Sequence, residues 1–263
     1  MTTDTQTTPP ITSGEMGGDR TPMTRLIEVE LRKMVDTRAG RWMLIAMGVL
    51  VIVVTGSLLI WGHPQEMTFK GFLGLNTLVL GVIMPIIGVM AGTAEWTQRT
   101  GLVTFTLEPR RGRVIVAKVV AAIVLGLLVI AIAIAASAIA QVIAGGVRGA
   151  DGGWDGSVGL LLGVIVGLLI FVLQGLAFGF AFLNTPLAIV ATFVLPTIWT
   201  AASSLATWLD KAAVWLDLNR VTGPLLDGEL HGSDWAHLAT GAAVWVGIPM
   251  AIGVWRVLHR EVK

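Results

Sequence analysis

A chain of 263 residues with 54% hydrophobic and only 13% charged side chains is too poor in charge for a soluble domain, in which roughly a quarter of residues are charged. Eighteen Lys and Arg against 17 Asp and Glu leave a net charge of +1, which excludes a strongly basic nucleic-acid binder and an acidic disordered chain. Cysteine is absent, which excludes disulfide frameworks, thiolate metal sites and cysteine nucleophiles.

Residues 1–20 are rich in Thr, Pro and Gly with hardly any large apolar side chains, and read as a disordered cytoplasmic tail. Over 21–40, Thr21-Pro22 forms a helix-start signal, and Met23, Leu26, Ile27, Leu31, Met34 and Val35 share one helical face. Arg25, Glu28, Arg32 and Lys33 occupy the other face, so this segment is expected to be an amphipathic interfacial helix on the inner membrane surface. Residues 41–263 then form a six-span domain. Runs free of Asp, Glu, Lys and Arg, long enough to cross about 30 Å of hydrocarbon, lie at 42–61, 71–92, 119–144, 158–183, 187–208 and 238–255. The fourth and fifth share one long uncharged run and are divided at Asn184-Thr185-Pro186, where proline interrupts helix. By this count no Asp or Glu lies inside any span, which removes the intramembrane carboxylate of a proton-coupled pump or an aspartyl protease.

Placing both termini inside puts fourteen of the eighteen basic residues on cytoplasmic segments and leaves only Lys70, Arg148, Lys211 and Arg220 outside, as the positive-inside rule requires. Trp42, Trp61, Trp154, Trp208, Trp235 and Trp255 fall at or just outside span ends, where an amphipathic ring prefers the headgroup level. A polar stretch of some forty residues precedes the first span, and its apolar run exceeds the roughly 7–15 residues of a signal peptide. It is expected to remain in the mature protein as part of an all-α, multi-pass membrane protein.

Between the second and third spans the chain reads Ala94-Glu95-Trp96-Thr97-Gln98-Arg99-Thr100-Gly101, continues through Thr106 to Pro109-Arg110-Arg111-Gly112-Arg113, and reaches Lys118. Glu95 and Arg99 stand four apart, Gly101 permits a change of direction, and Pro109 limits any helix before it. The expected order is helix, bend, short element, turn, helix. As a charged loop alone it satisfies the inside-positive rule and demands no further role.

The run Glu-x-x-x-x-Thr-Gly, then Thr-x-x-x-x-Pro-Arg-Arg-x-Arg, then Ala117-Lys118 resembles the loop after the second span in permease subunits of ABC exporters of the type-two class. Family members often carry the glycine before the threonine, whereas here Thr100 precedes Gly101. The resemblance extends to the amphipathic helix before the first span, the six spans and the long outer segment between the fifth and sixth. It implies a permease half that pairs with a second permease subunit, in a homodimer or heterodimer, and rests on separate cytosolic ABC ATP-binding subunits that hold ATP and Mg. The chain itself then binds no cofactor and is a transporter subunit in the cell membrane, in contact with lipid and with no nucleic acid. The same resemblance makes Glu95, Arg99, Thr100, Gly101, Thr106, Pro109, Arg110, Arg113 and Lys118 the coupling element. It also makes Asn76, Thr77, Pro85, Pro196, Thr200, Ser203 and Ser204 pathway or hinge positions. A mostly apolar route favours a hydrophobic or amphiphilic cargo, such as a drug, natural product or lipid, moved outward.

The chain lacks the Gly-x-x-x-x-Gly-Lys phosphate loop and the Gly-x-Ser-x-Gly elbow. Gly159, Gly163 and Gly167 recur every four residues, as do Gly175 and Gly179, a flat strip suited to close helix packing. Trp208, Leu209, Ala212, Trp215 and Leu216 form an apolar stripe against Asp210, Lys211 and Asp217, expected of an interfacial or re-entrant helix beyond the fifth span. His231, Asp234 and His237 are spaced by three and are expected to be solvated loop residues, with a metal site the weaker alternative. Two other functions stand beside transport. One is a membrane scaffold or sensor that recruits a cytosolic partner through the basic loop. The other is a lipid-modifying membrane enzyme, for which these histidines are the only cluster on offer.

Overall fold

The computed structural model describes residues 21–149 and 153–259. The expected tail over 1–20, with Arg20, and the basic residues Arg260 and Lys263 lie outside them. Among the described residues the chain is helical, with no strand. Six of its helical stretches are long and apolar enough to cross a membrane.

Helix α1 (Met23–Asp36) leads into α2 (Arg38–Trp61), α3 (Phe69–Thr97), the short α4 (Gly101–Leu107), α5 (Arg111–Arg148), α6 (Val158–Phe182) and α7 (Thr185–Ser203). Helices α8 (Thr207–Leu216), α9 (Leu218–Leu226) and α10 (Asp234–Ala242) follow. A π-helical turn at Ala243–Gly247 joins α10 to α11 (Ile248–His259), so the last candidate span runs over Asp234–His259.

The helices outrun the charge-free segments. The expected spans stop at 92 and restart at 119, yet α3 continues to Thr97 and α5 begins at Arg111. Glu95 and Lys118 therefore lie inside long membrane helices, which corrects the expectation that no span contains a carboxylate. Charge does not end these helices because the charged groups are buried against one another. The fifth helix is shorter than expected. It ends at Ser203, where the hydroxyls of Ser203 and Ser204 bond to the carbonyls of Thr200 and Ala201, and Trp208 belongs to α8. The division at 184–186 falls where Leu183 turns left-handed (φ 54°) and the Asn184 side chain accepts from the Leu187 N–H at 3.0 Å.

α6 is the centre of the bundle, packed by α3, α5, α7, α9 and α11. Its apolar side chains Val164, Leu168, Val172 and Leu176 are buried with Leu80, Met84 and Ile130 of α3 and α5. The α3–α6 contact is backbone-close. A Cβ placed on Gly175 would overlap the Pro85 carbonyl, and one on Gly88 would overlap the Val172 carbonyl, while Gly92 faces Gly179. The strip Gly159, Gly163 and Gly167 receives the short α9, through the Leu225 and Gly228 backbone and the Leu226 side chain. Glycine is required in both seams because any side chain would push the helices apart.

One end of the bundle gathers the start of α1, the α3–α5 connector and the end of α11. Arg113 donates to the Thr21 carbonyl at 2.5 Å, and Arg111 donates to that of Val257 at 2.8 Å. Both described ends of the chain therefore lie on the same side of the bundle. At the opposite end Phe69 packs on Trp154, and the Lys70 N–H bonds to Asp155. The six tryptophans expected at interfaces are each at least 60% exposed.

Gly175→Ala is expected to destabilise the bundle by about 1–3 kcal/mol, the cost of overpacking a tight contact. Gly74→Ala, with open space around it, is expected to leave stability unchanged or slightly raised. Thermal unfolding of both variants in detergent checks the contrast.

Candidate functional site

The charged end of the bundle is built around Lys118. Its Nζ lies 2.5 Å from Glu30 Oε2 of α1 and 3.0 Å from Glu95 Oε1 of α3. Lys33 completes the cluster, at 2.7 Å from Glu30 and 3.3 Å from Glu95. Glu30, Glu95 and Lys118 are buried, and their charges balance only as a group. Three helices distant in sequence are thereby tied at one point.

α1 reaches this position because the chain breaks at Thr37. Its backbone is extended there, and its hydroxyl accepts from the Gly40 N–H at 3.1 Å, capping α2. The expected helix over 21–40 is thus two helices with a corner. Glu28 and Arg32 pair on the outer face of α1 at 2.6 Å, whereas Glu30 sits on the face that also carries Leu26, Ile27 and Met34.

The connector follows the expected order of helix, bend, short helix, turn, helix, but the bend is made elsewhere. Arg99 takes the left-handed conformation (φ 56°), and Gly101 is simply the buried first residue of α4. A branch-free side chain tolerates this geometry at modest cost, and the Thr100 N–H then closes on the Glu95 carbonyl at 3.0 Å. Glu95 does not pair with Arg99, four residues on; it turns inward to Lys118. Thr106 bonds back to the carbonyls of Leu102 and Val103, and Pro109 follows the end of α4. Arg110 is exposed at the start of α5, while Arg113 pairs with the buried Glu108 at 2.8 Å. Leu102, Val103 and Leu107 of α4 are 54%, 61% and 78% exposed.

The residues assigned to a pathway separate into two groups. Thr77, Pro85 and Pro196 border a cleft of about 310 Å³ between α3, α6, α7 and α9, which Gln174 and Thr192 also line. Asn76 instead is fully buried in a chain of hydrogen bonds, accepting from Thr55 at 3.1 Å and donating to Ser137 at 2.9 Å. Thr200 donates to Asp217 Oδ2 at 2.7 Å. Asp217, expected on a solvated face, is buried and caps α9 through the N–H groups of Asn219 and Arg220. Ser203 and Ser204 bond locally and line no part of the cleft.

Between α8 and α10 Asp234 stands 4.0 Å from His237, whose ring packs edge-on against Trp215. His231 donates to the Glu229 carbonyl. Among the described residues no three His, Asp or Glu side chains are grouped to hold a metal.

Sequence reasoning missed Glu30, Lys33 and Glu108. Glu30 carried a readable signal, since a carboxylate at the centre of an apolar helical stripe requires a buried partner. Thr55 and Ser137 gave a weaker one, as polar groups within apolar spans.

Taken together, the helices and their burial define an all-helical, multi-pass membrane protein with a charged cluster and a short projecting helix at one end. No family model matches the chain, and no curated protein matches it in sequence.

Lys118→Met leaves two buried carboxylates with only Lys33 beside them and is expected to cost about 3–5 kcal/mol. Replacing the whole group as Glu30→Gln, Glu95→Gln and Lys118→Met is expected to recover most of that loss. Thermal midpoints of the single and triple variants, compared in one detergent, check this order.

Proposed function

We propose that the chain is the transmembrane permease subunit of an ATP-driven exporter of the ABC type-two class. It works with a second permease subunit, identical or not, and with separate cytosolic subunits that bind ATP and Mg. In this reading the charged end faces the cytoplasm, α1 lies along the inner leaflet of the cell membrane, and a hydrophobic or amphiphilic compound moves outward.

The observation that carries the reading is α4. It stands between two membrane helices and holds Leu102, Val103 and Leu107 exposed at the most charged end of the bundle. Exposed apolar residues rimmed by polar groups fit a protein contact. The connector that bears them is braced by the buried Glu30–Lys118–Glu95 group, so a displacement of α4 passes into α3 and α5 as packed units. The residue order from Glu95 to Lys118 supports the same reading through its likeness to the exporter loop. With no phosphate loop in the chain, ATP has to be held by a partner.

The test is co-expression with any phosphate-loop ATPase that the neighbouring coding sequence encodes, followed by purification through a tag on this chain. Both subunits are expected to co-elute with ATPase activity. Leu102→Asp and Leu107→Asp are expected to lower that activity or the co-elution at least about tenfold, as loss of an interface anchor does, with the permease still eluting as a single species. These exposed positions separate coupling from folding, which the buried Glu95 does not. Failure to co-elute across several detergents would favour the scaffold reading.

A further inference from the structure

Beneath α1, a cavity of about 600 Å³ opens between the end of α3, α4 and the start of α5. That volume falls within the range of small-molecule pockets, roughly 300–1,000 Å³. Leu26, Val29, Val103, Leu107 and Val114 supply its apolar wall. Val29, Val103 and Leu107 are among the exposed large apolar residues of the chain, so water alone wets this wall unfavourably.

The polar groups around the cavity are not equivalent. The carboxylates of Glu30 and Glu95 are matched by Lys33 and Lys118, and Glu108 is matched by Arg113. Arg25 is the cation left over, and it lines the cavity with Gln98 and Thr100. None of these three side chains makes a hydrogen bond or ion pair among the described residues. Among the described residues the cavity thus combines an apolar wall with one unmatched guanidinium and two polar groups that have no partner. A guanidinium in that setting selects a phosphate or carboxylate.

We propose that this cavity binds one anionic amphiphile drawn from the surrounding bilayer. Its acyl chain lies against Val29, Val103 and Leu107, and its anionic head meets Arg25, Gln98 and Thr100. Val114 and Ala117, which line it, stand just before the apolar run of α5 that opens at Val119. An occupant there touches α1, α3, α4 and α5 together, so it fills the space between the short projecting helix and the bundle. The inference requires membrane embedding alone and stands whether or not the chain couples to an ATPase.

The test is native mass spectrometry of the full chain, delipidated in mild detergent and titrated with phosphatidylglycerol, phosphatidylcholine or inorganic phosphate. One phosphatidylglycerol per chain is expected, held at least about tenfold more tightly than phosphatidylcholine, the ratio a single charge-assisted contact supplies. Arg25→Gln is expected to erase that preference. Thr104→Trp and Val103→Trp, which fill the cavity from α4, are expected to abolish the bound lipid while eluting like the parent chain. Phosphate alone is expected neither to bind nor to compete at millimolar concentration. Undiminished lipid binding in the tryptophan variants, indifference to the headgroup, or displacement by inorganic phosphate would each overturn the proposal. Lipid binding that emerges only after removal of residues 2–20 would assign the cavity to the N-terminal segment and overturn it equally.

Discussion

Lys118 lies where solvent does not reach, between Glu30 and Glu95. A lone ammonium in that position costs several kcal/mol, and two carboxylates without it cost more. The arrangement is tolerable only when α1, α3 and α5 meet, so the cluster acts as a geometric condition on the whole charged end. It requires the corner at Thr37 that folds α1 back over the bundle. It fixes the end of α3 and the start of α5 side by side. The residues between Glu95 and Lys118 must then leave and return over a short distance, and the left-handed Arg99 with Pro109 after Leu107 makes α4 the excursion.

The opposite end is organised by small residues and caps in place of buried ion pairs. Glycines on α6 admit α9 at this end, as others admit α3 nearer the charged end, at backbone contact that a methyl group would prevent. Asp217 caps α9 and accepts from Thr200, and Trp245 donates to the Leu216 carbonyl at 2.6 Å. These bonds hold three short helices against α6, α7 and the π-helical turn. In a low-dielectric setting such polar contacts stand only because each is paired.

The long helices were legible because crossing hydrocarbon demands an unbroken apolar run, and six such runs stand in the sequence. Their ends were not, because charge was taken as the boundary. Glu95 and Lys118 show that a helix passes through charge when the charge is paired across helices, a relation between residues distant in sequence that local patterning does not contain. The short α4 was legible through Pro109 and the change of pattern before it. Its bend was assigned to Gly101 because glycine adopts positive φ most cheaply, yet Arg99 does so, driven by the turn that closes on the Glu95 carbonyl. Asp217 was misplaced for the opposite reason. A charge beside an amphipathic stripe reads as solvated, and only the existence of α9, hidden by its Gly223-Pro224 pair, turns it into a buried cap.

The two ends also differ in how they connect to the core. α3 and α6 form a spine more than half of whose residues are buried, whereas fewer than a quarter are buried along α2, α7 and the last span. α4 is joined through the turn at Gln98-Arg99-Thr100 to α3, the helix most closely packed on α6 through Gly88, Gly92, Gly175 and Gly179. In the proposed reading a load placed on α4 enters this spine first. From there it reaches the cleft bordered by Thr77, Pro85 and Pro196, because Pro85 lies in the seam itself, its carbonyl against Gly175. The proline removes one backbone hydrogen bond from α3 at the level where the helix meets both α6 and the cleft. Bending is easiest there, so the seam at which the two helices pack most closely also contains the weakest point of the α3 backbone.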